Sequence, residues 1–417
     1  MPVRSLLLVD LLHNRTVLVS RGLGCSLGSD VVVFFRLVQG VGAALIWANN
    51  AAILTDAFPP NERGRAIGVN LVAGISGSVI GLILGGILTV ALGWQSIFWI
   101  NLPIGAFATF WAYKKLRELG TVHHERIDLP GNVLFAGGLT AFLVGLTLGA
   151  LSGYTLVDVA SMGAGLLMVG GFVYVELHSR TPLMDLTLFK IRAFSAGIFS
   201  NFLASIARSG VSLVLTIYFQ GVLIYDAFKA GLALIPFAVA FVSLGPLSGY
   251  LSDKYGPRFF TTTGLSISTA GLIGLALIPA NVSYTVLAFL MILVGAGGGM
   301  FVAPNISSIM SSAPVTRRGV DSGMSATLVT TGALLSLSIS FAVLATSISN
   351  KVLQAIFAGL QLPSGTTPSV DLFIAPMHTI FWIMAIMSLI AIVPSALRGR
   401  GVGVAFDQKL EVREQVA

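Results

Sequence analysis

Residues 66–91 read AIGVNLVAGISGSVIGLILGGILTVA, 26 consecutive positions without a charged side chain. Coiled as an α-helix at ~1.5 Å per residue, the stretch is about 39 Å long, more than the ~30 Å hydrocarbon core of a bilayer requires. Gly77, Gly81 and Gly85 recur every four residues within it, so they share one helix face, and their missing side chains permit close helix contact. Similar uncharged runs occupy residues 95–113, 129–157, 230–252 and 322–350. Hydropathy and chain breakers together predict twelve spans, near residues 16–34, 37–55, 66–91, 95–113, 129–152, 157–175, 193–219, 230–252, 259–279, 284–311, 322–349 and 373–396. The expected fold class is an all-α polytopic membrane protein with about 11–12 transmembrane helices.

Composition narrows the function. Of 417 residues, 55% are apolar and 10% charged, under half the charged fraction usual in soluble domains, which excludes an ordinary soluble enzyme. A single cysteine, Cys25, rules out an internal disulfide and a cysteine-based metal site, and of five histidines only His123 and His124 are neighbours. Neither metal nor cofactor is expected, and no nucleophile–base pair or phosphate loop argues for catalysis. The net charge of +7 reflects orientation instead of nucleic-acid binding. Seventeen of the 24 Lys and Arg residues lie in one alternate set of loops and the C-terminal tail, beginning with Arg63 and Arg65. The opposite set holds only Lys229 and Lys351, and five more (Arg4, Arg15, Arg21, Arg36 and Arg208) lie elsewhere. The positive-inside rule makes the seventeen-charge face, tail included, cytoplasmic, for a multi-pass protein of the cell membrane.

The chain also repeats itself. Adding 255 carries Gly40 to Gly295, Gly42 to Gly297, Ala48 to Ala303, Asn50 to Asn305, Pro59 to Pro314, Arg63 to Arg318, Gly64 to Gly319 and Gly68 to Gly323. Parallel repeats about an axis along the membrane normal are the plan of one large class of secondary transporters. Motifs then bring a resemblance. Gly249-Tyr-Leu-Ser-Asp253-Lys-Tyr-Gly256-Pro-Arg258 resembles the cytoplasmic-loop signature of the major facilitator superfamily, and Arg36-Leu-Val-Gln39-Gly40-Val-Gly42-Ala43-Ala44 resembles its fourth-helix motif. Gly68, Gly77, Gly81, Gly85 and Gly86 match the glycine spacing of its antiporter motif, although Leu82 stands where that motif has proline. The helix pair at 129–152 and 157–175, with Gly93-Trp94-Gln-Ser-Ile-Phe98-Trp-Ile-Asn101-Leu-Pro103-Ile-Gly105, is similar to the fourteen-helix drug:proton antiporter branch.

That resemblance runs from about residue 10 to 396 and implies a major-facilitator bundle. The expected organisation is an incomplete helical half at 1–113, two inserted transmembrane helices with flanking loops at 114–192, a six-helix half at 193–397 and a cytoplasmic tail at 398–417. Asp10 and Arg15 keep the mutual spacing of Asp253 and Arg258, with His13 where the signature has glycine, but at an offset of 243. The helix between Asp10 and Gly40 is thus twelve residues shorter than its repeat partner, and Arg21 in its middle costs ~2.5–3.5 kcal/mol at a bilayer centre. The expectation is a chain lacking the family's first two helices, with a damaged third, and no proton-coupled transport by these 417 residues alone.

Candidate functional residues follow. Arg36 and Gln39 stand in an otherwise uncharged span; the resemblance implies a fixed charge that tunes proton coupling, and the alternative is an arginine snorkelling to the helix end. Arg208, with Asn201 seven residues earlier on the same face, suits an anionic substrate group or a carboxylate, or else a water-filled structural niche. Gly249, Asp253, Gly256 and Arg258 form a conformational latch or a passive turn. The aromatics Trp47, Phe199, Phe202, Tyr218, Phe237, Phe241 and Phe301 suit either a polyspecific cavity or packing. No acid is expected deep in a span, since Asp56, Asp128, Asp158 and Asp226 fall at span ends. The resemblance implies a secondary active transporter for multidrug or small-molecule efflux by proton antiport, acting as a monomer in a lipid bilayer. Transport of another solute, such as an organic anion, and a non-transporting membrane remnant are the rivals.

Overall fold

In hydrocarbon a backbone amide has no partner outside its own ladder, so long apolar runs must coil. The computed structural model describes residues 29–93, 96–115, 128–178, 186–225, 227–279, 281–312, 318–348 and 370–399. Its helices are α1 (Ser29–Ala57), α2 (Arg63–Leu92), α3 (Ser96–Lys115), α4 (Leu129–Ser152), α5 (Leu156–His178), α6 (Arg192–Ile217), α7 (Ala227–Ala233), α8 (Ile235–Tyr255), α9 (Pro257–Ala276), α10 (Tyr284–Ser312), α11 (Arg318–Ala345) and α12 (Val370–Leu397). Among the described residues, α4, α5, α6 with the π turn that continues it to Val222, and α8 to α12 are eight helices long and apolar enough to cross a membrane. Helices α1 and α2 have 29 and 30 residues.

One boundary differs from expectation. Helix α1 begins at Ser29 and passes through Arg36 without a break, joining the last residues of the span expected at 16–34 to the one expected at 37–55. Residues 29–36 contain neither glycine nor proline, and arginine is a good helix former, so a charge that reads as a loop marker leaves the ladder intact. Asp10, His13, Arg15, Arg21 and Cys25 lie outside the described residues, as do His123, His124, Trp94, Arg317, Lys351 and the tail beyond Gly399.

Small residues set the packing. Helix α10 crosses α9 where a Cβ on Gly264 would stand 2.7 Å from the Gly297 carbonyl oxygen, and it meets α8 where Gly295 and Gly299 lie against the carbonyls of Phe237 and Phe241. Met291, Phe301, Leu272 and Phe381, from α10, α9 and α12, are fully buried. Helices α4 and α5 form a hairpin closed by Gly138 against Gly165. Thr147 of α4 and Ser338 of α11 share a 2.8 Å hydrogen bond, which fastens the hairpin to the bundle. Helix α2 packs on α8 and supplies the seam between the N-terminal helices and the rest.

Candidate functional site

The seam is tightest at the end of the bundle that carries Arg63, Lys254 and Arg258. A Cβ on Gly64 would lie 2.5 Å from both the Asp253 Oδ1 and the Gly249 carbonyl oxygen, and one on Gly68 would lie 2.6 Å from the Pro246 Cα. Only residues without side chains let α2 and α8 approach so closely. The approach brings the Asp253 carboxylate onto the first turn of α2. Gly64 N–H donates to Oδ1 at 2.9 Å and Arg65 N–H to Oδ2 at 3.1 Å. A helix N-terminus offers unsatisfied N–H groups and partial positive charge, so an anionic cap there is favourable twice over. Gly256 ends α8 at φ 89°, a conformation that belongs to glycine, and Pro257 opens α9 at the position where its missing N–H costs nothing. Arg258 itself is exposed.

Beside this cap the side chain of Arg63 is buried. Its Nε donates to the carbonyls of Thr55 and Phe58 at 3.2 and 3.3 Å, and its Nη1 to the Ser311 hydroxyl at 3.4 Å. Arg63 therefore ties α1, α2 and α10 together at the same end where Asp253 ties α2 to α8.

Further along α2 the glycine stripe changes surroundings. A Cβ on Gly77, Gly81 or Gly85 would meet no described atom within 4 Å. The repeat sends these positions to Gly332, Ser336 and Ser340 on α11. There the stripe packs on α6: a Cβ on Gly332 would lie 2.8 Å from the Phe202 carbonyl, and Gly210 N–H donates to the Ser336 Oγ at 2.9 Å. Close packing, the reading that the four-residue spacing suggests for Gly77, Gly81 and Gly85, is not met among their described neighbours; on α2 it is found at Gly64 and Gly68 instead.

Arg208 lies on α6, 16 residues beyond the helix start at Arg192. Its Cζ lies over the Phe241 ring at 5.4 Å from the centroid, and its Cδ faces Gly298 of α10. On the same helix Asn201 donates to the Ser325 Oγ at 3.4 Å, and Ser205 to the Val329 carbonyl at 2.6 Å. Asn201 is thus engaged with α11, while Arg208 turns to α8 and α10. Arg36 lies on α1, 21 residues before its last residue, so about 31 Å from the Arg63 end at ~1.5 Å per residue. That places it well inside the helix instead of at its beginning. Gln39 is half-buried, as is Gly85, whereas Gly40 and Gly81 are exposed. Gly86 lies on α2, one residue past Gly85. Of the aromatics, Tyr218, Phe241 and Phe301 are buried, while Trp47 is 65% exposed and Phe199 51%.

Sequence reasoning missed three buried charged groups. Glu176 and Asp321 are 4% and 1% exposed and stand one residue outside the limits set for their spans, at 175 and 322. Arg398, taken as a tail residue, is 3% exposed. One Nη2 proton of Arg398 reaches the Asn305 Oδ1, and Asn305 Nδ2 donates to the Gly197 carbonyl at 3.2 Å, joining α12, α10 and α6. Among the described residues Arg398 Nε and Nη1 have no hydrogen-bond partner. Burial pushes this guanidinium down to about 10. Its repeat signal was present in part, since Asn305 corresponds to Asn50, whose Nδ2 donates to the Asn70 Oδ1 at 2.8 Å.

Comparison with known proteins fits this geometry. A family model described as Major Facilitator Superfamily matches residues 16–337. The riboflavin transporter RibZ of Clostridioides difficile is 31% identical over 308 residues, which cover 73% of this chain and 66% of that protein. The multidrug resistance protein Stp of Mycobacterium tuberculosis is 32% identical over 311 residues, covering 72% of this chain and 57% of Stp. The chain thus spans less than two thirds of the length of these two curated relatives. The solved structure of the proton:xylose symporter XylE bound to 6-bromo-6-deoxy-D-glucose superposes with a TM-score of 0.59 at 15% identity, over 94% of this chain and 79% of that one, a likeness of fold alone.

Proposed function

Since the chain belongs to the Major Facilitator Superfamily, we propose that it serves in secondary active transport of small molecules, with multidrug efflux coupled to proton antiport as its mode. The observation that carries this reading is the Asp253 carboxylate seated on the N–H groups of Gly64 and Arg65. Alternating access needs two packings of similar free energy, and the contact is made of a kind that can exist or not exist as a unit: two charge-assisted hydrogen bonds, each worth ~1.5–3 kcal/mol, at the end of the seam where glycines meet backbone. In this reading the latched end is cytoplasmic, the tail lies on the same side, the protein spans the plasma membrane as a monomer, and the solute passes between the N-terminal helices and the α6–α12 half. Similarity to Stp supports efflux, and the arginine on α1 with Gln39 supports proton coupling. No nucleic acid takes part.

Similarity to RibZ favours a second solute class, a polar heterocyclic molecule, over a lipophilic drug. The experiment is a flux measurement on the purified chain reconstituted in vesicles that carry an internal pH dye. Substrate-dependent proton movement on addition of ethidium or riboflavin supports the reading. A dye signal that never departs from that of protein-free vesicles, with ethidium, riboflavin or 2-naphthoate, rejects it in favour of the expectation that these 417 residues alone carry out no proton-coupled transport.

A further inference from the structure

Two arginines in this bundle are treated differently. The guanidinium of Arg398 is sealed, with Nε and Nη1 cut off from solvent. Arg208 is half-buried and none of its nitrogens is among the sealed, unpartnered atoms. At ~1.5 Å per residue it stands about 24 Å along α6 from Arg192, at the middle of the Arg192–Val222 span. A cation at that depth is expensive, so it faces a cavity or a partner. Among the described residues no carboxylate pairs with Arg208; its neighbours are the Phe241 ring and the backbone of α10 at Gly298. Contact with a ring face stabilises the charge and leaves the N–H edge of the guanidinium available. That edge is a planar fork matched to carboxylate-like groups. Phe241 belongs to a buried apolar cluster against which Leu71 and Ile75 of α2 also pack, so apolar surface continues from α8 to α2.

We propose that Arg208 is the anion-recognition point of a solute site on the inner faces of α6, α8 and α10, and that the solute it holds carries a carboxylate on an aromatic or apolar body. The fork holds the negative group while the Phe241 wall takes the body, a division usual in small-molecule sites. This rests on the transport reading above and names the substrate class for it. The arginine here is a specificity-determining residue that touches the solute, and a purely cationic drug is disfavoured by the same charge.

The test is binding to the full chain in nanodiscs with a pair of probes of one shape, 2-naphthoate and 2-naphthylmethylammonium. Wild-type protein should hold the naphthoate about 10- to 100-fold more tightly, the ratio expected for one charge-assisted contact. Arg208→Gln should erase the ratio, and Arg208→Lys should restore part of it, because lysine keeps the charge and lacks the fork. The ratio on wild-type protein needs no variant, so a misfolded Arg208→Gln protein does not blunt the test. Equal binding of the two probes, tighter binding of the ammonium, or an undiminished ratio in Arg208→Gln overturns the proposal. If the ammonium binds while vesicle flux persists, only the substrate class falls; if neither probe binds and no flux is seen, both readings fall.

Discussion

Replacing Gly64 by alanine tests the seam most directly. The added Cβ would start 2.5 Å from the Gly249 carbonyl oxygen and from the Asp253 Oδ1, whereas ordinary contact begins near 3.4 Å. The Gly249 oxygen is backbone and cannot swing aside, so α2 must retreat from α8 by roughly 0.9 Å. The 2.9 Å bond from Gly64 N–H to Asp253 then stretches toward ~3.8 Å, beyond hydrogen-bonding range. Overpacking costs ~1–3 kcal/mol and the lost charge-assisted bond ~1.5–3, against a gain of ~0.5–1 from removing a helical glycine. The net is about 1.5–5.5 kcal/mol against the latched arrangement, a shift of roughly 10- to 8,000-fold in its population. Gly77→Ala on the same helix is the control, because its Cβ meets nothing described within 4 Å; it should be neutral or slightly stabilising. Spin labels on the α2 and α8 ends in nanodiscs, read by double electron–electron resonance, report the population, and thermal unfolding reports stability. A Gly64→Ala protein whose distance distribution and melting midpoint equal those of Gly77→Ala would refute the reasoning.

In a protein that carries out coupled transport, Arg36→Ala should abolish it while the protein still inserts if the fixed charge tunes the coupling site, and Arg36→Lys should rescue only part; near-normal flux in the alanine variant would return Arg36 to a snorkelling role. In a Cys25→Ser background, cysteines placed at 60, 255 or 405 should resist membrane-impermeant thiol reagents applied outside intact cells, and rapid labelling there would invert the topology. For Arg398, burial lowers the folded-state value below that of an ordinary arginine, so its charge works against the fold at neutral pH. Arg398→Met should then be near neutral or stabilising, whereas Asn305→Ala, which strands the cation, should cost about 2–4 kcal/mol of stability in denaturant titration.

The helical fold was legible because uncharged runs as long as residues 66–91 have few alternatives in any solvent. The edges were less so. A span limit set at a charge has no way to include a charge inside a helix: Arg36 divides two expected spans that α1 joins, and Glu176 and Asp321 stand one residue outside theirs although the fold buries them. The latch was half visible. Asp253 announced itself through its motif, but its partners are the backbone N–H groups of Gly64 and Arg65, which carry no side-chain signature and are free to donate to an anionic group only through the helix start they occupy. The glycine stripe shows the same limit from the other side. Identical four-residue spacing yields contact at Gly332 on α11 and open space at Gly77 on α2, because spacing encodes a face and the neighbour decides what the face meets. For Arg208 the sequence supplied depth, and the choice between Phe241 and an acid required the packing of α6 on α8 and α10.

The hydrogen bond between Thr147 and Ser338 bears on speed as well as architecture. It attaches the α4–α5 hairpin to α11, and the hairpin presents Leu156, Val157 and Leu167 outward at 85%, 76% and 79% exposure. In the transport reading proposed above, a swing of α11 against α1, on which it packs, would drag that paddle sideways through acyl chains. Bilayer viscosity and lateral pressure would then act as a mechanical load on the proposed turnover, one that a bundle without the hairpin would not carry.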